Sequence, residues 1–241
     1  MSDAAAPRSE QQRRAVTLDG NDSPHSLDPS RPRVQAGAMA ETYHHEPPYT
    51  IGVICGSIAA SSINRRLARA LIKLAPPALQ CSFIEIDQLD LYDRDRDDAY
   101  PPEAVELKRA ITEADGILIV TPEYNRSIPG ALKNAIDWAS RPYGENALNR
   151  KPVGIIGTSP GGIGTAVGQQ HLKTIMSFCN APMMNEIEAY VQYKDGLVDD
   201  DDDVTVESTK EFLSTYMAAY DDFVRRVLTV LPKADGSTAA G

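Results

Sequence analysis

The sequence predicts an α/β protein, a three-layer α/β/α sandwich built on five parallel strands. Three observations predict it. From residue 50 onward, short apolar runs alternate with longer stretches of helical period, as in a parallel sheet whose strands are joined by crossover helices. The 241 residues, 42% of them hydrophobic, suffice for one sizeable core. Finally, three of the apolar runs empty into turns rich in Gly, Ser or Pro and continue as helices.

Residues 1–47 are rich in Ala, Pro, Ser, Asp and Arg and carry no apolar period, so they are expected to form a disordered tail. One domain is expected over 48–232, followed by a second disordered tail at 233–241. The candidate strands are TIGVIC (50–55), CSFIEI (81–86), GILIVT (116–121), PVGIIGTS (152–159) and the weaker MMNEIEAYV (183–191). In the first crossover Leu67, Ala68, Leu71, Ile72 and Ala75 share one helical face, while Arg65, Arg69 and Lys73 point elsewhere. Further helices are expected over 102–114, 129–140 and about 164–178. A last one starts near Val206 and carries Phe212, Leu213, Tyr216, Tyr220, Phe223, Val224, Val227 and Leu231 at helical spacing. Of the two conspicuous loops, QLDLYDRDRDDAYPPE follows the second strand. The other, KDGLVDDDDDV, is expected to be solvated, since its aspartate run lacks the ligand spacing and turn glycine of a calcium loop.

The formal charge of −10 argues against a nucleic-acid footprint, which needs a clustered basic face. Three cysteines, Cys55, Cys81 and Cys179, form no C-x-x-C pair and stand at no metal-ligand spacing from the four histidines, which fits a reduced cytoplasmic compartment and no metal. No run approaches the ~18 apolar residues of a membrane span, and residues 1–30 lack the apolar centre of a signal peptide.

Ligands of an open parallel sheet bind beyond the carboxyl ends of its strands. Three loops there carry the chemistry. In GSIAASSIN (56–64) a buried strand meets a helix start, where free amides and the helix dipole would join Ser57, Ser61, Ser62 and Asn64 in a phosphate cradle; the bland reading is that Ser61 or Ser62 is the helix N-cap. It is neither a P-loop nor G-x-G-x-x-G. In TPEYNRSIPG (121–130), Pro122 and Pro129 stiffen the loop, with Ser127 as a candidate cap. Its fixed N–H and C=O groups suit the edge of a flat heterocycle, and Tyr124 supplies either an aromatic face or ordinary surface packing. Next to it Arg126 is either an anion partner for phosphate or acceptor, or a surface arginine. The glycines of TSPGGIGTAVG (158–168) admit close approach of a ligand.

Together, TPEYN followed by S-x-P-G-A-L-K-N-A-I-D-W, GS-x5-N and SPGG resemble the NADPH-dependent FMN reductase family of flavodoxin-like proteins, in particular its chromate and quinone reductase and azoreductase members. The likeness covers about three quarters of the chain. It implies strand order 2-1-3-4-5 with FMN where the three loops converge. Ser57, Ser62 and Asn64 would then bind the FMN phosphate. Pro122, Glu123, Tyr124 and Asn125 would border the isoalloxazine ring, with Ser159, Gly161 and Gly162 on its other side. Glu123 is not required as an acid, because the loop acts through its backbone and a buried carboxylate needs a partner. The chain departs from the family at Ala59 and Val167, where arginine is frequent, and at Ala60, often another basic residue, which leaves NADPH against NADH open.

The implied reaction is hydride transfer from NADPH or NADH to FMN, then electron transfer to quinones, azo compounds, free flavin or metal oxyanions such as chromate, with ping-pong kinetics and no catalytic side chain. A homodimer or homotetramer is implied, with Trp138 and the last helix's aromatic stripe at the interface or in the core. The competing readings are a flavodoxin-like FMN electron carrier without NAD(P)H turnover and a dehydrogenase that uses the SPGGIG turn directly. His171 is expected to face solvent or a neighbouring subunit.

Overall fold

The computed structural model describes residues 46–231. The expected tails at 1–47 and 233–241 fall outside these residues, apart from positions 46 and 47. Five parallel strands are present, β1 (Tyr49–Cys55), β2 (Leu79–Phe83), β3 (Gly116–Val120), β4 (Val153–Ser159) and β5 (Tyr190–Gln192), in the order β2-β1-β3-β4-β5. They alternate with α1 (Ile63–Leu74), α2 (Pro102–Glu113), α3 (Gly130–Ala139), α4 (Ala166–Phe178) and α5 (Glu207–Val230).

The period of two along each strand assigns the layers. Ile51, Val53, Leu118, Val120 and Ile156 face one way and pack with Leu67 and Leu71 of α1 and with Leu213, Tyr216, Tyr220 and Val224 of α5. The alternate residues Ile54, Ile117, Ile119, Val153 and Ile155 face the other way, against Leu107 of α2, Leu132 and Trp138 of α3 and Leu172 of α4. Both faces being covered, β3 has no polar position at all: GILIV is buried throughout.

Several boundaries differ from the sequence-based expectation. The second strand begins at Leu79 and ends at Phe83, so the run it leaves, Ile84–Ile86, packs as loop. The fifth strand is the short Tyr190–Gln192, with Met183 making a separate bridge to Val153. Ser127 is not the cap of α3, whose N-cap is Pro129; Ser127 serves a hairpin instead.

Both conspicuous loops are docked. Trp138 is fully buried, its indole N–H donating to the Asp90 carbonyl at 2.8 Å and its ring meeting Tyr92 and Tyr100 edge-on at 5.1 and 5.0 Å. Asn134 fastens the same strap, accepting from Tyr92 N–H and donating to the Asp90 carbonyl. The aspartate run, expected to be solvated, lies along the basic face of α1. Arg66 donates to the Val198 carbonyl and Asp200, Arg69 forks onto Asp202 at 2.8 and 2.9 Å, and Lys73 reaches the Asp201 carbonyl and Asp203. Positions 66, 69 and 73 repeat at helical spacing, which explains why one loop can meet all three.

Candidate functional site

The loops after β1, β3 and β4 leave neighbouring strands at the same end of the sheet. Strand β3 is central, so its loop lies between the other two. Glycines let them touch. A Cβ at Gly157 of β4 would stand 2.0 Å from the Thr121 carbonyl oxygen and 2.5 Å from Thr165 Oγ1, a contact only a bare backbone permits. One at Gly56 would stand 2.5 Å from Thr121 Oγ1.

In the first loop Ser62 is the N-cap of α1 and accepts from Arg65 N–H at 3.2 Å, so the bland reading of this serine holds locally. Ser57 Oγ accepts from Ala59 N–H at 3.4 Å. A hydroxyl that accepts still has a proton to donate. The N–H groups of Ile58, Ala60 and Ser61 make no hydrogen bond among the described residues, so the approach to α1 presents a run of open donors. Asn64 corrects the expectation that it faces a phosphate. It is 1% exposed, accepts from Thr158 N–H and donates to Thr158 C=O, both at 2.9 Å. Its carboxamide therefore pairs like a strand with β4 and joins the first loop's helix to the fourth strand.

Among the described residues no free cation stands beside this loop. Arg65 is paired with Glu85 and lies over the Phe83 ring, and Arg66 is held by Val198 and Asp200. With alanine at 59 and 60, an anion at this loop would meet only amides, hydroxyls and the dipole of α1. Cys55 lies just before the loop, and burial pushes its thiol up, away from the reactive thiolate. Burial likewise raises Cys179, and Cys81 to about 11.

The second loop is a tight hairpin. Tyr124 and Ser127 exchange both backbone bonds at 2.9 Å, and the two residues between them, Asn125 and Arg126, have φ of 53° and 64°. Positive φ at both central positions is the pattern of a type I′ turn, which tolerates Asn but strains Arg. Because the Tyr124 backbone is consumed by Ser127, the loop's open donors are the N–H groups of Glu123, Asn125 and Arg126, which make no hydrogen bond among the described residues. The Tyr124 ring is 50% exposed, leaving its face accessible. Arg126 is exposed, and its guanidinium pairs with Glu123 at 3.1 Å.

In the third loop Ser159 Oγ accepts from Gly161 N–H at 3.1 Å. A Cβ at Gly161 would meet only Ser159 Oγ, at 3.5 Å, and one at Gly162 would meet nothing within 4 Å; neither residue has a left-handed φ. The chain's own packing does not require glycine at these two positions, so the room they leave is available to a ligand. Gly164 is different: its φ is +62° and its Cβ would press on the Tyr190 backbone at 2.9 Å.

Sequence reasoning missed Gly157, the Thr158–Asn64 pairing and the Ser127–His171 contact at 3.2 Å, and it read Gly168 as open to a ligand where it seats the hairpin. A glycine inside a strand and another in the first turn of a helix were the available signals. His171 lies beside the hairpin, on the exposed side of α4. Open amides ahead of a helix, a ring face and a bare glycine wall fit a phosphorylated flat heterocycle such as FMN.

Residues 49–195 match the model of the family described as NADPH-dependent FMN reductase. A 2-hydroxy-1,4-benzoquinone reductase from Burkholderia sp is 45% identical over 175 residues, 73% of this chain and 96% of that protein. A quinone reductase of Escherichia coli strain K12 is 38% identical over 178 residues, 72% of this chain and 94% of that protein. Among solved structures, FerB, a flavoenzyme NAD(P)H:(acceptor) oxidoreductase from Paracoccus denitrificans, superposes with a TM-score of 0.72 at 40% identity, covering 74% of this chain and 98% of its own.

Proposed function

This chain belongs to the NADPH-dependent FMN reductase family, oxidoreductases that use FMN with NAD(P)H as co-substrate, and we propose that it acts as a quinone reductase in that family. The single observation that carries the reading is the set of open main-chain donors and bare glycines gathered from three loops, around one exposed tyrosine ring. Bound FMN supplies a two-electron acceptor that takes a hydride from the nicotinamide and passes electrons onward.

The residues hold and orient. Ser57 and Ser62, with the amides of 58, 60 and 61, receive the phosphate, while Asn64 fixes the distance from that cradle to β4. Pro122, Glu123 and Asn125 border the ring edge through the backbone, and Ser159, Gly161 and Gly162 form the opposite wall. Those amide donors would favour negative charge at the ring edge they border, without reorganising. Ile58, Tyr124 and Ile163, one from each loop, are half exposed and give the opening an apolar rim suited to a flat nicotinamide or quinone. Azo compounds, free flavin and metal oxyanions such as chromate are further acceptors of the same opening. Arg126, already neutralised by Glu123, is a conditional partner for an anionic substrate.

A single reductase domain over 48–232 is part of the proposal, and the family match at 49–195 supports it. Among the described residues no helix is long and apolar enough to cross a membrane. A cytoplasmic homodimer or homotetramer completes the proposal.

The test begins with the absorption spectrum. Purified protein is expected to be yellow and to release FMN on boiling. Anaerobic NADPH should bleach the visible band within about a second, the scale of turnover near ~10 per second. Initial rates with a benzoquinone should give parallel double-reciprocal lines. Colourless protein that takes up no FMN overturns the assignment, and a yellow protein that neither NADPH nor NADH bleaches is an electron carrier instead.

A further inference from the structure

The N-terminus of α4 is completed from outside its own segment. An α-helix leaves its first N–H groups without internal partners, and a side chain at the N-cap usually takes one. Here the N-cap residue, Thr165, makes no such bond; its hydroxyl accepts from Gln169 Nε2 at 2.8 Å. The third amide of the helix, Gly168 N–H, instead donates to Glu123 Oε2 at 2.9 Å, across 45 positions of sequence. The other carboxylate oxygen, Oε1, holds Arg126. The Glu123 side chain is 7% exposed, so the carboxylate needs these partners, and the positive end of α4 is an apt one.

The shape around it agrees. A Cβ at Gly168 would stand 3.0 Å from the Ser127 carbonyl oxygen and 3.3 Å from Glu123 Cγ, so the glycine forms a notch in which the hairpin seats. One turn further along, His171 Nδ1 lies 3.2 Å from Ser127 Oγ. We propose that Glu123 is a positioning residue: by capping α4 it locks the hairpin after β3 to the glycine turn before α4, and so fixes the spacing between two walls of the site. The capping is independent of the functional reading above; its effect on flavin affinity rests on that reading.

The experiment compares Glu123→Ala with Glu123→Gln, which keeps a carbonyl oxygen for Gly168 N–H and discards the charge. On flavin-free protein, the Gly168 amide proton shift and the thermal midpoint are measured; FMN affinity follows by quenching of flavin fluorescence. Glu123→Ala is expected to move the Gly168 amide upfield and lower the midpoint by about 2–4 °C. It should also weaken FMN binding about tenfold. Glu123→Gln should restore most of all three. The proposal is overturned if Glu123→Ala leaves the amide shift and midpoint in place, or if Gln is as damaging as Ala, since charge rather than the cap would then matter. Wild-type protein that binds no FMN, with both flavin-free readouts moving as expected, supports the cap and overturns only the flavin reading.

Discussion

Two loops of this molecule are fastened to helices by carboxylates, in opposite ways. The hairpin after β3 meets α4 chiefly through Glu123, which is buried and aimed at a backbone amide, with Ser127 touching His171 beside it. The run of aspartates at 199–203 meets α1 through several exposed pairs with Arg66, Arg69 and Lys73. A buried contact to a fixed amide resists salt and is sensitive to shape. Exposed pairs are individually weak, screened over about 8 Å at physiological salt, and tolerant of displacement. The site side of the protein is therefore held by geometry, and the α1 side by charge.

Four substitutions break or sharpen that contrast. The largest effect is expected from Gly157→Ala, whose methyl would press on the Thr121 carbonyl; a loss of ~3 kcal/mol in denaturant unfolding is anticipated, unchanged by added salt. Gly168→Ala is next. Crowding against the Ser127 carbonyl costs more than alanine's ~1 kcal/mol helix preference returns, so a net loss near ~1 kcal/mol and weaker FMN retention are expected in parallel titrations. Arg126→Gly relieves a left-handed arginine but also removes the cation paired with the buried Glu123 carboxylate, so the two should nearly cancel and leave stability within about 0.5 kcal/mol of the wild type. Asp202→Asn has the smallest effect. It should cost about 0.3 kcal/mol at low salt and nothing measurable near ~1 M salt. A salt-dependent penalty for Gly157→Ala, or a salt-insensitive one for Asp202→Asn, would erase the distinction.

Strand succession, the layered architecture and the positions of the three loops were legible in the sequence because periodicity and turn chemistry are local. Ser62, one of the two serines offered as a helix cap, does cap α1. Asn64 was misread because its true partner, Thr158, lies 94 positions away, and nothing near an asparagine reveals which backbone it will meet. Ser127 looked like a cap because it precedes a helix, yet the type I′ turn claimed its backbone first. The aspartate run is solvent-facing as read, but its pairing with α1 was not legible because those cations sit on a helix more than a hundred residues earlier. For Asn64 and the aspartate run the missing quantity was a pairing between distant segments, whereas for Ser127 two local motifs competed and the turn prevailed.

The strap over α3 also equips the protein with its own optical gauge. Trp138 is the chain's one tryptophan, sealed from water and tethered through its indole nitrogen to Asp90. Intrinsic emission should accordingly lie at the blue end of the tryptophan range, and peeling of the strap would redden it before the sheet melts. A single spectral band thus separates local opening from global unfolding without any label.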